Sequence, residues 1–467
     1  MFDTGLLPWS LILKNLPGRL VRGDLNSQAR GVSTDSRTVQ KGNLFVALAG
    51  PHFDGRAFLS QAFERGAVGA LISGPWSIDS NPDPGIIIEV DDTLQALGDL
   101  ARMWREPFSL PLVGITGSNG KTTTKEMLAG ILEPGGPTLK NPGNLNNLIG
   151  LPLTLLGLGP EHRFAVLEMG MNRSGEIRRL SAIAGPTVGL ITNIGPAHLE
   201  GLGSLEAISR AKGELFEALS QRDWAVINQD DPRILELSTR CRSQKITFGL
   251  DSRAEVRAEE VRLDSTGLVF WLCAQGQRRE TRLPLPGRHN VGNALAAAAA
   301  ALILGFSLDR IQGGLEGFSP PDHRLQIRPG KRGAHLIDDS YNANPASLQA
   351  ALTTFQSLRQ DRRGGLVLGD MLELGGSSRT AHQELGTRIG GLGVDYLVTI
   401  GQYTPALMAE ALKGKRPPAK AVHCSSPTEV LEQLDRLIQA DDWVLIKGSH
   451  GMALETIAAA LQSEERG

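Results

Sequence analysis

The chain has 467 residues, and its 48 Lys and Arg nearly balance 50 Asp and Glu, which excludes a broad cationic surface for nucleic acid. Aromatic residues make up only 5%, too few for a platform that stacks bases. The length exceeds what one hydrophobic core fills and points to about three domains. The three cysteines, Cys241, Cys273 and Cys424, lie too far apart for a zinc site or a disulfide framework, so a reducing, cytoplasmic location is expected. Asp3 and the absence of a basic residue before a short apolar run broken by Pro8 argue against a signal peptide. The apolar run "ALAAAAAALILGF" at 294–306 is too short to cross a bilayer of about 30 Å and predicts a buried helix, with no membrane insertion.

In chain order, residues 1–108 mix short apolar runs with turns. "GNLFVALAG" predicts a strand, "GRAFLSQAFERGAVGALI" a helix returning to a strand, and "SNPDPG" at 80–85 a surface loop. From 109 onward "LPLVGIT", "FAVLEMG", "VGLITNIG" and "WAVINQD" are apolar runs separated by helix-length segments, the pattern of a mostly parallel sheet. "GLVFWLCAQGQRRETRLPLPG" alternates and predicts a hairpin turning at Gln-Gly. The strand–helix alternation restarts after 326 with "AHLIDDS", "GGLVLGD", "DYLVTIG" and "DWVLIKGS". The reading is an α/β protein of three domains, 1–108, 109–325 and 326–467. Ligands of open α/β sheets sit at the carboxyl ends of the strands, so the residues just after each apolar run are the candidates for function.

"GITGSNGKTTTKE" (114–126) meets that condition. The glycine that the common P-loop spacing requires five positions before Gly120 is replaced by Ile115. The context is nonetheless that of a phosphate loop, because Gly117, Ser118, Asn119 and Gly120 form the turn between a strand and a helix. Backbone amides there can point at phosphate oxygens, and the helix N-terminus adds partial positive charge. Lys121 would reach the β- and γ-phosphates of ATP, and the Thr122 hydroxyl would hold Mg²⁺. Glu168 and His198 follow two further strands and could complete a divalent-ion site. Each alone reads more simply as a paired surface carboxylate and a structural imidazole. Lys212, in "SLEAISRAKGELFEAL" with Ser204 as a predicted N-cap, reads from spacing alone as a solvent-facing lysine.

Taken together, "TGSNGKTT", "LEMG", "NIGPAHLE", "AKGELF", "GRHNVGNALAA" and "IDDSYNANP" resemble the Mur ligase family, with motifs from Thr34 to Met452. "DDSYNANP", "GDMLELG" and "KGSHGM" are similar to the branch that adds D-alanyl-D-alanine to a UDP-N-acetylmuramoyl-tripeptide. The resemblance also accounts for the offset loop, because the family uses a shorter T-G-x-N-G-K-T form. It implies a UDP-binding N-terminal domain, a central P-loop-type ATPase domain and a Rossmann-like C-terminal domain. By the same resemblance, Ser36 and Arg37 in "TDSR" belong to the UDP end of the substrate, and Asn144, Asn146 and Asn147 lie near the substrate. An Asn-rich turn is the simpler reading of the last three. "FDGRAF" departs from the family's F-D-G-H at Arg56. Lys212 matches a lysine that CO₂ carbamylates to help hold a second Mg²⁺. Asn290 and Asn293 match an adenine-contacting pair on one helical face, beside His289. Thr123 continues the phosphate loop, Arg324 matches an arginine that meets the phosphates, and Asp339, beside Tyr341, matches a ribose contact. Lys447, Ser449 and His450 follow the last strand, and His450 stands outside the expected site.

The implied chemistry is ATP-dependent: a peptide carboxylate attacks the γ-phosphate, and an amine then displaces phosphate from the acyl phosphate. Lys121, Glu168, His198, Lys212 and Arg324 would carry it, with two Mg²⁺ ions and no protein nucleophile. A monomer is expected. The competing readings are a sister amino-acid ligase of the folylpolyglutamate or muramoyl-peptide type, and a P-loop protein that only binds nucleotide.

Overall fold

The computed structural model describes residues 6–50, 53–74, 85–196, 199–264 and 267–463. Among these residues three large sheets follow one another along the chain. The first has five strands in the order Gly18–Arg22, Ile86–Val90, Gly69–Ser73, Leu44–Val46 and Val32–Ser33, and its first pair is antiparallel and the rest parallel. The strand expected across "GNLFVALAG" is broken: Leu44–Val46 joins this sheet, whereas Ala49–Gly50 turns away to pair with Phe53–Asp54. Most of "SNPDPG" lies outside the described residues.

The central sheet has nine strands. Its buried strands are continuous apolar runs because helices cover both faces, the rule for parallel sheets. Leu112–Thr116 lies between Phe164–Glu168 and Val188–Ile191, parallel to both. The chain therefore leaves this strand toward one side and later returns on the other, which opens a crevice at its carboxyl end. The predicted hairpin is Gly267–Ala274 and Gln277–Leu283, and it extends the sheet antiparallel to its edge. The alanine-rich run forms the buried helix His289–Ile303, whose small side chains let it pack closely on the helix Lys121–Leu132.

The third sheet runs Gln326–Pro329, His335–Asp338, Trp443–Lys447, Gly364–Gly369, Tyr396–Ile400 and Lys420–Cys424, parallel except for its first pair. The ends of His335–Asp338, Gly364–Gly369 and Trp443–Lys447 form a single face. That face is joined by Ser449, which accepts from the Leu372 amide and donates to the Ala343 carbonyl.

The three bodies are packed together. Thr93–Arg105, capped by Asp92, lies against Gly150–Leu155 and Glu176–Ala184, where Arg179 pairs with Asp99 at 2.9 Å. One buried apolar cluster runs from Val113 and the alanine helix into Leu348 and Phe355 of the third body. Cys241, Cys273 and Cys424 are free and buried. Among the described residues no helix is long and apolar enough to cross a membrane.

Candidate active site

A cleft of about 820 Å³ opens where the carboxyl ends of the central strands face those of the third sheet. Its central wall is the turn between Leu112–Thr116 and Lys121–Leu132. Gly117 has φ +148° and Gly120 has φ +81°, and a Cβ at either would fall about 2 Å from Thr192 Oγ1 or Asn293 Oδ1 respectively, so only glycine fits. The loop is held from below, since the Ser118 amide donates to the Asn193 carbonyl and the Asn119 amide to Asn193 Oδ1.

Two lysines converge on a single carbonyl. Lys121 Nζ and Lys212 Nζ both donate to Gly117 O, at 2.9 and 3.0 Å. Lys212 is therefore not the solvent-facing residue its spacing suggests: it is 1% exposed, on a helix whose predicted cap Ser204 does accept from the Ala207 amide. Burial, then the neighbouring Lys121 charge, hold its pKa well below the ordinary lysine value. Burial also lowers Lys121, with Glu168 opposing. Burial and the neighbouring lysine both favour the uncharged form of the Lys212 amine, the form that adds CO₂, so this lysine fits a carbamate.

Thr122 Oγ1 donates to Glu168 Oε2 at 2.7 Å, at the first turn of the loop helix. Two hard oxygen donors converging beside a phosphate cradle fit Mg²⁺. Among the described residues no three His, Cys, Asp or Glu side chains gather into a further metal cluster. His198 lies outside the described residues.

Glu168 also ties the asparagine-rich loop to this corner. Asn146 Nδ2 donates to Glu168 Oε1 at 2.7 Å, while the buried Asn141 exchanges hydrogen bonds with the Glu168 backbone. Lys125, fully buried, donates to the Asn141 carbonyl at 2.6 Å. Asn144 is exposed in the cleft. Asn147 takes the turn role: its side chain accepts from the Ile149 and Gly150 amides at the start of a helix.

Asn290 and Asn293 share a helical face as expected and are joined by a 2.9 Å hydrogen bond. His289 beside them opens into the cleft and is exposed there. Across the cleft, Arg324 Nη2 donates to Thr122 Oγ1 at 3.0 Å, and its guanidinium lies 4.1 Å from the centre of the Tyr341 ring. His323 and Leu325, on either side of it, have φ of +61° and +51°. Asp339 accepts from Lys447 Nζ at 2.6 Å, and burial raises its pKa against the pull of that lysine.

Ser36 and Arg37 do not line this cleft. Ser36 is buried and donates to Gln61 at 2.6 Å, and Arg37 pairs with Asp35 on the first sheet's surface. Arg56 forms an ion pair with Asp54 at 2.7 Å. Sequence reasoning missed Asn344, whose side chain donates to Asn119 Oδ1 at 2.7 Å, and left out His450, which stacks on Tyr341. The "DDSYNANP" segment was the available signal for the first. Nothing in the spacing marked Lys125 or Glu373.

Comparison with known proteins agrees with this geometry. The Mur ligase family, catalytic domain model matches residues 28–105, the Mur ligase middle domain 115–301, and the Mur ligase, glutamate ligase domain 323–450. The UDP-N-acetylmuramoyl-tripeptide–D-alanyl-D-alanine ligase of Escherichia coli K12 is 38% identical over 96% of each chain. That of Bacillus subtilis 168 is 37% identical over 92% of this chain and 93% of its own. A MurF structure from Acinetobacter baumannii superposes with a TM-score of 0.90 at 35% identity, covering 98% of this chain and 99% of its own. A Thermotoga maritima MurF in complex with ADP gives 0.81 at 28% identity, covering 92% and 96%. With a phosphate loop, an acidic strand end and a facing arginine set out as its cleft has them, the chain belongs to the Mur ligase family.

Proposed function

We propose that the chain is an ATP-dependent ligase that joins D-alanyl-D-alanine to a UDP-N-acetylmuramoyl-tripeptide in peptidoglycan precursor synthesis. The observation that carries this reading is the single cleft in which Lys121, Glu168 and Thr122 of one sheet meet Arg324 and Asn344 of the next. The name and near-complete coverage of its relatives supply the substrate pair. The division into domains 1–108, 109–325 and 326–467 belongs to the same proposal and is supported by one large sheet in each stretch.

The first step brings a carboxylate to a γ-phosphate, two anions that repel. Lys121 and Arg324 neutralise the phosphate oxygens from opposite walls, and the amides at the start of the helix Lys121–Leu132, beside the turn 117–120, cradle them. Asn290 and Asn293 take the adenine, and Asp339 and Tyr341 take the ribose. Ser36 and Arg37 hold the distant UDP end, and Asn144 and Asn146 face the peptide. Bound Mg²⁺ supplies further charge neutralisation, held by Thr122, Glu168, His198 and, for a second ion, carbamylated Lys212. The residues position and stabilise, and no side chain forms a bond to substrate.

The test is phosphate release from ATP and Mg²⁺ with the UDP-linked tripeptide, with and without D-alanyl-D-alanine. Release that needs both, with a UDP-linked pentapeptide as product, is the expected outcome. Release with a single amino acid but not the dipeptide would reassign the chain to a sister ligase. No coupled release with any acceptor would leave only nucleotide binding.

A further inference from the structure

Lys125 is a buried cation that the mechanism above leaves unused. It lies one turn beyond Lys121 on the helix Lys121–Leu132, is 0% exposed, and stands behind the cleft rather than in its lining. Burying an ammonium is costly unless it is paired, and an apolar side chain of the same length would fill the space without that cost. The charge therefore serves something that packing alone does not.

Its partners show what that is. Lys125 Nζ donates to the Asn141 carbonyl at 2.6 Å, reaches the Gly143 carbonyl at 3.5 Å, and pairs with Glu126 at 3.1 Å. Three acceptors match the three N–H donors of an ammonium, so none is left over for a substrate. Two of the three are main-chain groups of one loop, residues 141–147. Gly143, at φ +54°, turns that loop just before Asn144, which is exposed in the cleft. The loop is fastened from its other side as well. Asn141 Nδ2 donates to the Leu145 and Glu168 carbonyls, both at 2.9 Å, and Asn141 Oδ1 accepts from the Glu168 amide at 2.8 Å. The Asn146 carbonyl accepts from the Gly170 amide at 2.8 Å, and its Nδ2 donates to Glu168 Oε1. A Cβ at Gly170 would fall 2.5 Å from Asn146 Oδ1, so the loop sits directly on the backbone there. One helix thus presents Lys121 to the phosphate loop and, a turn later, grips the loop that carries the asparagines.

We infer that Lys125 is a positioning residue for the donor peptide; this rests on the ligase reading above. It fixes residues 141–147 so that Asn144 and Asn146 meet the UDP-linked tripeptide, and it touches no substrate itself. An apolar side chain at this position takes away the donor that the Asn141 carbonyl uses and loosens the loop at its turn. The loss falls on the substrate that the loop faces, and the acceptor dipeptide is the internal control.

The test is steady-state phosphate release by the full chain with ATP and Mg²⁺ saturating, varying the UDP-linked tripeptide and D-alanyl-D-alanine in turn. Lys125→Met keeps the length and removes the charge. It is expected to raise KM for the UDP-linked tripeptide about tenfold and to leave KM for the dipeptide within about twofold of wild type. A residue that served only the fold would lower the fraction of active enzyme, which moves apparent kcat and neither KM. Lys125→Gln is one bond shorter and can reach a single carbonyl. It should show the same selective rise at about threefold, and it decides the question if Lys125→Met yields no folded protein. In Lys125→Met combined with Asn146→Ala, KM for the tripeptide should stay within about twofold of the larger single effect, because both changes release the same loop. An unchanged KM for the tripeptide, an equal rise in both KM values, or effects that multiply in the double variant would overturn the assignment. Wild type that releases no phosphate in response to tripeptide and dipeptide together would instead overturn the ligase reading itself.

Discussion

The two walls of the cleft are built differently. The central wall is knitted into its own sheet: Thr122, Glu168, Asn146 and Asn141 form one hydrogen-bonded chain, and Lys121 and Lys212 share the Gly117 carbonyl. The opposite wall reaches it through Arg324, delivered between two residues with positive φ, and through Asn344. A wall that holds phosphate benefits from being rigid beforehand, because donors already in place cost no reorganisation when charge develops. A wall that brings in a second substrate has to approach and withdraw, and across the cleft itself these two joining contacts are polar.

If that contrast is right, damage on the central wall should abolish phosphate activation. Lys121→Met removes the loop's own ammonium and should lower kcat by about 10³-fold in the ADP-release assay, with the fold unchanged by circular dichroism. A loss under tenfold would mean the phosphates are held elsewhere.

Lys212 sharpens the same wall. Because its folded-state pKa lies below its unfolded value of 10.5, the folded protein binds less proton there. Its contribution to stability therefore grows more favourable as pH rises up to that value and falls away toward acid. The neutral amine is also the form that takes CO₂, so activity should rise with pH and with added bicarbonate. Lys212→Ala should lose about 100-fold or more in kcat and regain part of it with acetate or another short carboxylate. Lys212→Arg, always charged, should be inactive and insensitive to bicarbonate; wild-type rates in that variant would dispose of the carbamate.

On the opposite wall, Arg324→Lys keeps the charge but loses the planar fork that spans Thr122 and stacks on Tyr341. A fall of about 10- to 100-fold in kcat, with binding of the UDP-linked substrate to the resting enzyme unchanged by calorimetry, is the expected pattern. Weakened binding of that substrate would place the arginine in its site rather than at the phosphates.

The contrast also explains what could be read from the residues alone. The central strands are unbroken apolar runs, and "GSNGKTT" is local, so the phosphate loop needs no partner to be recognised. The strand across Leu44–Gly50 was misjudged because its second half turns away to pair with Phe53–Asp54, a choice made by tertiary pairing. Lys212 could not be placed from its own helix: the carbonyl it meets is Gly117, 95 residues earlier. Asn344 and Asn119 are 225 residues apart, and no periodicity links them. Lys125 carries no motif of its own, yet it is buried and donates to the Asn141 carbonyl. Motifs report what a segment can bind, and packing decides which segments meet.

Asn344 gives the finest test, because its two side-chain atoms serve the two roles separately. Oδ1 accepts from the Ser347 amide and caps the helix Pro345–Arg359, while Nδ2 donates across the cleft to Asn119. Asn344→Ser keeps a capping oxygen but cannot span the gap. Its melting temperature should stay near that of wild type, since serine and asparagine cap about equally well. Its kcat should fall about fivefold, the loss of one neutral hydrogen bond of about 1 kcal/mol in the assembled state. Asn344→Ala should lose the same activity and about 1 kcal/mol of stability as well. If serine and alanine prove equally destabilised, the residue serves its helix more than the cleft. If both retain full activity, the contact with Asn119 does not contribute to the reaction, and Arg324 is left as the side chain that joins the two walls at Thr122.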